Sequence, residues 1–268
     1  MRVISLLNFK GGVGKTTSTH SIASGLNLKG KKVLVIDMDP QGTLTFFSKG
    51  DKELKGDTRE ILFHEKTIME ATTNGEEFDF IGSNIKLATS EILLNNGYNK
   101  EQKLKKAIDK MSKEYKYDFI LIDCPPSLSI FTLNALAAST DLIIPCECEL
   151  ASLEGLELLL DTIKEPIEEL NDNLNILGIL PTKLDIRKKI SKEVYEALKE
   201  TYDNILPPIR INSKLSELGL DQSSIFILDK NSNGAKDYMT VVEAILDESA
   251  LYPRRYKTKF KSIGFEKI

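Results

Sequence analysis

The sequence predicts an α/β fold, a doubly wound, mostly parallel sheet with helices on both faces. Three observations carry that expectation. Short apolar runs rich in Val and Ile recur along the chain, and near-continuous runs of this length form strands buried on both faces of a parallel sheet. Helical patterns lie between them, so strand alternates with helix. The first run leads directly into a glycine-rich turn and then a helix, which is how an open α/β sheet presents a helix N-terminus at a strand end.

The expected strands, in order, are Val3–Leu7, Val33–Ile36, Phe78–Ile81, Phe119–Ile122, Leu142–Pro145 and Ile176–Leu180. Each is a brief β-branched or aromatic-rich run. The expected helices are Thr16–Lys29, Lys103–Tyr115, Leu153–Leu170, Ser191–Tyr202 and Tyr238–Asp247, where apolar residues recur at helical spacing. Connections between parallel strands should be right-handed. Residues 48–60 (SKGDKELKGDTRE) are polar and read as a surface loop. No internal repeat or low-complexity linker is visible. From Tyr252 to Ile268 the composition changes, with two Arg and four Lys against one Glu. The expected organisation is therefore one domain over residues 1–248 and a basic tail over 249–268.

Composition narrows the classes. The chain has 268 residues, 41% apolar and 28% charged, ordinary globular values. A net charge of −4 gives no global field toward nucleic acid or membrane, so a polyanion site must be a local basic patch. Cys124, Cys146 and Cys148 form no even framework, and a reducing cytosol is expected. Cys146 and Cys148, two apart in a strand, should share a face as small buried hydrophobes rather than a metal pair. Met1–Leu7 lacks the apolar core of a signal peptide, and no run approaches the ~20 apolar residues of a membrane span.

The stretch NFKGGVGKTT (8–17) carries the chemistry. Glycines let backbone N–H groups curl around phosphate oxygens, and the helix N-terminus adds partial positive charge. Lys15 can reach the β- and γ-phosphates, and the Thr16 hydroxyl can ligate Mg²⁺. In the common pattern G-x-x-x-x-G-K-[ST] the first glycine would stand at Phe9, so this loop departs from it. It carries instead a second lysine, Lys10, which the common pattern does not explain.

Two carboxylate sets complete the motif. VLVIDMDPQGT (33–43) ends a buried strand in Asp37 and Asp39, and the strand's C-terminal end is where such sheets bind ligands. FILIDCPPSL (119–128) places Asp123 after four apolar residues, where a carboxylate would hold Mg²⁺ through water. Pro125 and Pro126 force an extended exit.

KGGVGKTT resembles the deviant Walker A loop of the ParA/MinD ATPases, which belong to the P-loop NTPases. The likeness extends along the chain. IGSNIKLATSEILL (81–94) is similar to the family's I-P-S-N-I-x-L segment, with Gly82 for proline. NALAASTDLIIPCECELASLEGLELLLDTI (134–163) is similar to its N-A-L…D…I-P…L-E-G-L stretch. IRINSKLSEL (209–218) and KNSNGAKDYMTVVEAIL (230–246) resemble two further segments, with Arg210 and Ile211 in place of Pro and Arg, and Thr43 replaces a frequent Asn. Among branches the chain most resembles the small Soj/ParA-type partition ATPases.

The resemblance implies ATP and Mg²⁺ as ligands, with Gly11, Gly12, Val13, Gly14, Lys15, Thr16 and Thr17 around the phosphates and Arg210 and Asn212 bordering the adenine. It implies that Lys10 crosses a dimer interface to the partner's phosphates, so that two copies sandwich two ATP molecules. Catalysis would then use Lys10, Lys15 and Asp39, with Asp39 orienting the attacking water. Thr16 and Asp123 would bind the metal, and Asp37 would support the loop or the metal shell. Slow intrinsic ATP hydrolysis is implied, since such chemistry is mostly positioning and charge stabilisation. TKLD (182–185) raises GTP as a competing ligand, because many GTPases read guanine with such a motif.

The Soj/ParA branch further implies an ATP-dependent homodimer that binds double-stranded DNA non-specifically. A centromere-binding ParB-type partner would then release it by stimulating hydrolysis. Candidate DNA-binding residues are Arg187, Lys188, Lys189, Lys214, Arg254, Arg255, Lys257 and Lys259. The implied place is the cytoplasm, associated with the nucleoid, serving plasmid or chromosome partition. Two alternatives stand beside it. A MinD-like protein would attach to membrane through Tyr252, Tyr256 and Phe260 in the tail, although Pro253 interrupts that run. A nucleotide-gated scaffold would bind without hydrolysis.

Overall fold

The computed structural model describes residues 1–247. The tail, including Arg254, Arg255, Lys257, Lys259 and the Tyr252, Tyr256 and Phe260 stripe, lies outside the described residues, as does the proposed boundary at 248.

The strands are β1 (Arg2–Leu6), β2 (Val33–Asp37), β3 (Thr73–Asn74), β4 (Asp79–Ile81), β5 (Phe119–Asp123), β6 (Asp141–Glu147) and β7 (Asn175–Thr182). The helices are α1 (Lys15–Leu28), α2 (Thr43–Lys49), α3 (Thr58–Leu62), α4 (Ile68–Ala71), α5 (Lys86–Asn95), α6 (Lys103–Met111), α7 (Ile130–Ala138), α8 (Leu150–Leu170), α9 (Lys189–Thr201), α10 (Ser213–Asp221), α11 (Ile225–Leu228) and α12 (Asn233–Leu246). The strands form one seven-stranded sheet in the order β3-β4-β2-β5-β1-β6-β7. Every pairing is parallel except that of the short edge strand β3 with β4. The doubly wound, mostly parallel sheet expected from the sequence is present.

Strand alternation divides the core. Leu34, Ile36, Ile120 and Ile122 face one cluster with α3 to α9, while Val33, Val35, Phe119 and Leu121 face the other with α1, α2, α10, α11 and α12. Burial of both faces is why these strands read as continuous apolar runs. β1 lies inside the sheet, with β5 on one side and β6 on the other. Connections diverge at its C-terminal end, which makes that end the topological switch point where such sheets bind ligands.

Several sequence expectations are corrected. The polar 48–60 stretch is not all loop: it holds the end of α2 and the start of α3, whose N-cap Asp57 forms a reciprocal capping box with Glu60. The last helix starts at Asn233 rather than Tyr238, because Ser232 caps it by accepting from the Ala235 N–H at 3.1 Å. Helix α8 starts three residues earlier than expected, at Leu150, and α6 ends at Met111 rather than Tyr115. Helix α7 has no polar face to mark a period, since its Ile130, Phe131, Ala135 and Leu136 are all buried. Helix α5 hides its period the opposite way, by exposing Ile92 and Leu93. No helix among the described residues is long and apolar enough to cross a membrane.

Candidate nucleotide and metal site

The loop between β1 and α1 is built from both ends. Asn8 donates its side-chain N–H to the Pro145 carbonyl at 2.7 Å and accepts the Lys10 N–H at 2.9 Å, tying the loop's first residues to β6. Val13 is fully buried, and its carbonyl accepts the Thr182 hydroxyl at 2.8 Å. Gly14 caps α1 with φ 93°, a left-handed conformation open to glycine and strained for other residues. Gly11 and Gly12 form the exposed crest. No acidic side chain occupies the first turn of α1, so its free N–H groups and dipole are left for an anion.

Lys15 is buried, with its ammonium 3.3 Å from the Lys10 carbonyl. Burial lowers its pKa, and the nearby Asp123 works the other way. A buried ammonium at the mouth of an N–H-lined loop is a strong site for a phosphate oxygen. Thr16 faces the other direction and donates its hydroxyl to Asp123 at 2.7 Å, while Thr19 approaches the other Asp123 oxygen at 3.3 Å. The two residues assigned to Mg²⁺ are thus in contact. A hydroxyl and a carboxylate suit a hard cation that takes its other ligands from phosphate and water. Among the described residues no group of three His, Cys, Asp or Glu side chains could hold a metal by itself, so a metal ion at Thr16 and Asp123 needs oxygens from a ligand.

Asp37 and Asp123 end adjacent strands in direct register. Burial raises both pKa values, Asp37 to about 6 and Asp123 to about 8, and the neighbouring carboxylate adds to the shift of Asp123. Their surroundings differ. Asp37 accepts the Thr45 N–H at 2.9 Å, the Thr45 hydroxyl at 2.6 Å and the Asp39 N–H at 3.0 Å. Its backbone carbonyl also accepts the Thr58 hydroxyl at 2.6 Å. Of the two roles open to Asp37, loop support fits this geometry, since both carboxylate oxygens are spent on α2 and the Asp39 turn. Asp39 lies beyond the strand, half-buried, with Oδ1 accepting the Gln41 N–H at 2.9 Å. Gly42 then packs so closely that a Cβ would stand 2.9 Å from the Ser83 carbonyl oxygen, which locks this turn against the end of β4.

Lys10 points away from its own loop. Its ammonium pairs with Glu149, lies 3.8 Å from a Glu147 oxygen and donates to the Ser152 hydroxyl at 3.3 Å. Lys183 approaches the other Glu147 oxygen at 3.3 Å. The base-side residues are likewise engaged. Asp237 grips Arg210 through its backbone N–H, Nε and Nη2, the shortest contact being 2.6 Å. Asn212 caps α10 by accepting the Lys214 N–H at 2.8 Å. In this geometry the Arg210 guanidinium serves the α12 junction rather than standing free for a base. Both oxygens of Asp185 in TKLD accept from the Arg187 side chain, at 2.9 and 3.0 Å, and no carboxylate oxygen is left over to read guanine.

The basic candidates are brought together in part. Leu184 pairs with Arg210 across neighbouring segments, which lead into residues 187–189 at the start of α9 and Lys214 at the start of α10. Three of the four bring acid with them: Arg187 pairs with Asp185, Lys189 with Glu193 and Lys214 with Glu217. Cys146 and Cys148 are buried, as expected. Sequence reasoning missed Asn8, Thr182, Thr45, Glu147 and Glu149. The TKLD motif marked Thr182 for a different reason. Nothing local distinguishes Thr45, whose importance comes from the fold of α2 onto β2.

A glycine loop at the switch point, a buried lysine, and a Thr–Asp pair on adjacent elements define the class as a P-loop nucleotide-binding protein. A family model described as AAA domain matches residues 1–176. The sporulation initiation inhibitor protein Soj of Bacillus subtilis is 36% identical over 254 residues, 91% of this chain and 98% of that protein. The chromosome partitioning protein ParA of Myxococcus xanthus is 34% identical over 263 residues, covering 95% and 91%. Among solved structures, cobyrinic acid a,c-diamide synthase from Mycobacterium smegmatis with bound ATP analogue and magnesium is similar with TM-score 0.78 and 32% identity, over 92% of this chain and 94% of that one. The chain belongs to the ParA/MinD family of ATPases, among its ParA-type members.

Proposed function

We propose that this chain is a partition ATPase whose nucleotide-dependent homodimer binds DNA non-specifically and is released when a ParB-type partner stimulates hydrolysis. The supporting observation is the division of labour in one loop: Lys15 is buried over its own phosphate cradle, while Lys10 faces outward and cannot serve that cradle from where it is paired. ATP is the nucleotide, with Lys15 and the backbone N–H groups of residues 11–17 on its phosphates. Thr16 and Asp123 would hold Mg²⁺, which when bound neutralises charge on the phosphate oxygens. Asp39, held at the rim by its own turn, orients water for in-line attack. Lys10 leaves Glu149 and completes the neighbour's site through a charge-assisted bond. Phosphate departure weakens that bond, which couples hydrolysis to dimer release. Residues 1–248 form the ATPase domain and the basic segment 249–268 joins Arg187, Lys188, Lys189 and Lys214 in contacting phosphate backbones.

The test is sedimentation with a non-cleavable ATP analogue and Mg²⁺, with ADP, and without nucleotide, each repeated with plain duplex DNA and with anionic liposomes at two salt concentrations. A dimer with analogue alone, retained on DNA at low salt only, is expected. Monomers at every concentration would refute the reading, and retention on liposomes but not DNA would favour a membrane-attached relative instead.

A further inference from the structure

A second concave site lies on the α1 side of the sheet. A cavity of about 430 Å³ opens between α1, the C-terminal end of α2, the turn joining β3 to β4 and the segment before α11. That volume is in the range of small-ligand sites, and no residue of the phosphate loop lines it. Its wall holds polar groups that the fold leaves incomplete. His20 is only 3% exposed, its ring meets Phe47 and Phe78 edge-on at 6.1 and 5.2 Å, and its buried Nδ1 has no hydrogen-bond partner among the described residues. Glu77 accepts the Ser224 hydroxyl through Oε1 at 2.8 Å, but its buried Oε2 has no partner among the described residues. Buried polar atoms in folded proteins are nearly always satisfied, so two such atoms on residues that line one cavity need an explanation.

The chemistry of the lining selects the occupant. Glu77 oxygen needs a donor. Asp51 and Glu76 stand with it at the cavity, against Lys49 and Lys52, and the Lys52 ammonium is already given to the Asn74 carbonyl at 2.9 Å. The charge therefore leans negative. Phe47 and Phe78 supply aromatic surface of the kind that attracts cations. Burial holds His20 neutral, with its pKa lowered to about 4, so the imidazole does not repel positive charge. We propose that this cavity is a binding site for a cationic group, a guanidinium or primary ammonium, that donates to Glu77 and rests against Phe47 and Phe78. Such a group belongs either to a free small amine or to an Arg or Lys side chain of a partner peptide.

The experiment is calorimetric titration of the nucleotide-free full chain with agmatine, with a capped Gly-Arg-Gly peptide, and with the same peptide carrying neutral citrulline. Saturable one-to-one binding of a cationic probe is expected, with no heat from the citrulline peptide. Binding of agmatine alone assigns a small amine, and binding of the peptide alone assigns a partner side chain. Glu77→Gln keeps an acceptor for Ser224 and should weaken binding about tenfold or more, as loss of a hydrogen bond to a charged group does. Amide chemical-shift changes on adding the probe should cluster in residues 47–52 and 75–78. Absence of saturable binding, equal binding of the neutral peptide, unchanged affinity in Glu77→Gln, or shifts confined to other regions would each overturn the site. ATP affinity of Glu77→Gln should match the unaltered chain, so this outcome is separable from the nucleotide reading.

Discussion

The inner and outer rims of the phosphate loop use the same residue type for opposite ends. On the inner rim Lys15 is buried, its charge made costly by desolvation and its ammonium held near the Lys10 carbonyl. On the outer rim the Lys10 side chain is 37% exposed and neutralised by carboxylates at the end of β6 and the start of α8. Five positions along the chain thus separate a buried lysine at the glycine loop from a half-exposed one paired with distant carboxylates. The difference teaches that a lysine's role is set by what its surroundings have already satisfied.

The largest expected effect removes the inner rim. Lys15→Ala should weaken ATP binding by about a hundredfold, since a buried charge-assisted contact is lost, and equilibrium binding of a fluorescent ATP analogue reads it. Lys10→Ala should leave that affinity within about threefold, because its exposed pairing contributes little, yet abolish the analogue-dependent dimer in sedimentation. If both variants lose affinity equally, the contrast between rims is wrong. Asp39→Ala should trap the analogue-like dimer under ATP by stopping turnover, read as phosphate release; rapid turnover would contradict its assignment to the attacking water.

A smaller effect comes from pH. The folded pKa values of Asp37 and Asp123 are raised, to about 6 and about 8, above an unfolded value near 4. The folded state then holds protons that the unfolded state releases, so this pair makes the ligand-free fold less stable as pH rises from roughly 4 to roughly 8. Asp123→Asn should flatten that slope in denaturant titrations at pH 5 and pH 8, while removing Mg²⁺-dependent turnover. The smallest change expected is in Glu149→Gln. Freeing Lys10 from an exposed ion pair should let the dimer form at a concentration lower by no more than about fivefold.

Much of the inner rim was legible in the sequence because its chemistry is local. KGGVGKTT contains the turn, the lysine and the hydroxyl in one run, and FILID announces both a buried strand and its terminal carboxylate. The sheet was legible for a similar reason, since strands buried on both faces cannot hide their apolar runs. Helix α7 escaped because burial on all sides erased its period, and α2 and α3 because their anchors, Thr45 on Asp37 and Asp57 on Glu60, read as loop polarity. The outer rim was legible only through family resemblance. Glu149 lies 139 positions from Lys10, and no spacing rule joins them. Arg210 shows the opposite limit: resemblance to a base-bordering stretch of the family named the position, but not the Asp237 carboxylate that occupies it.

Lys183 adopts φ 52°, an uncommon left-handed backbone for a residue with a side chain. Before it, Thr182 holds the Val13 carbonyl, and after it Leu184 pairs with Arg210. A single tight bend therefore fastens the glycine loop to the segment that carries Arg210. Movement of one should be passed to the other, and Lys183→Gly, which gives the bend more conformational freedom, should loosen that link.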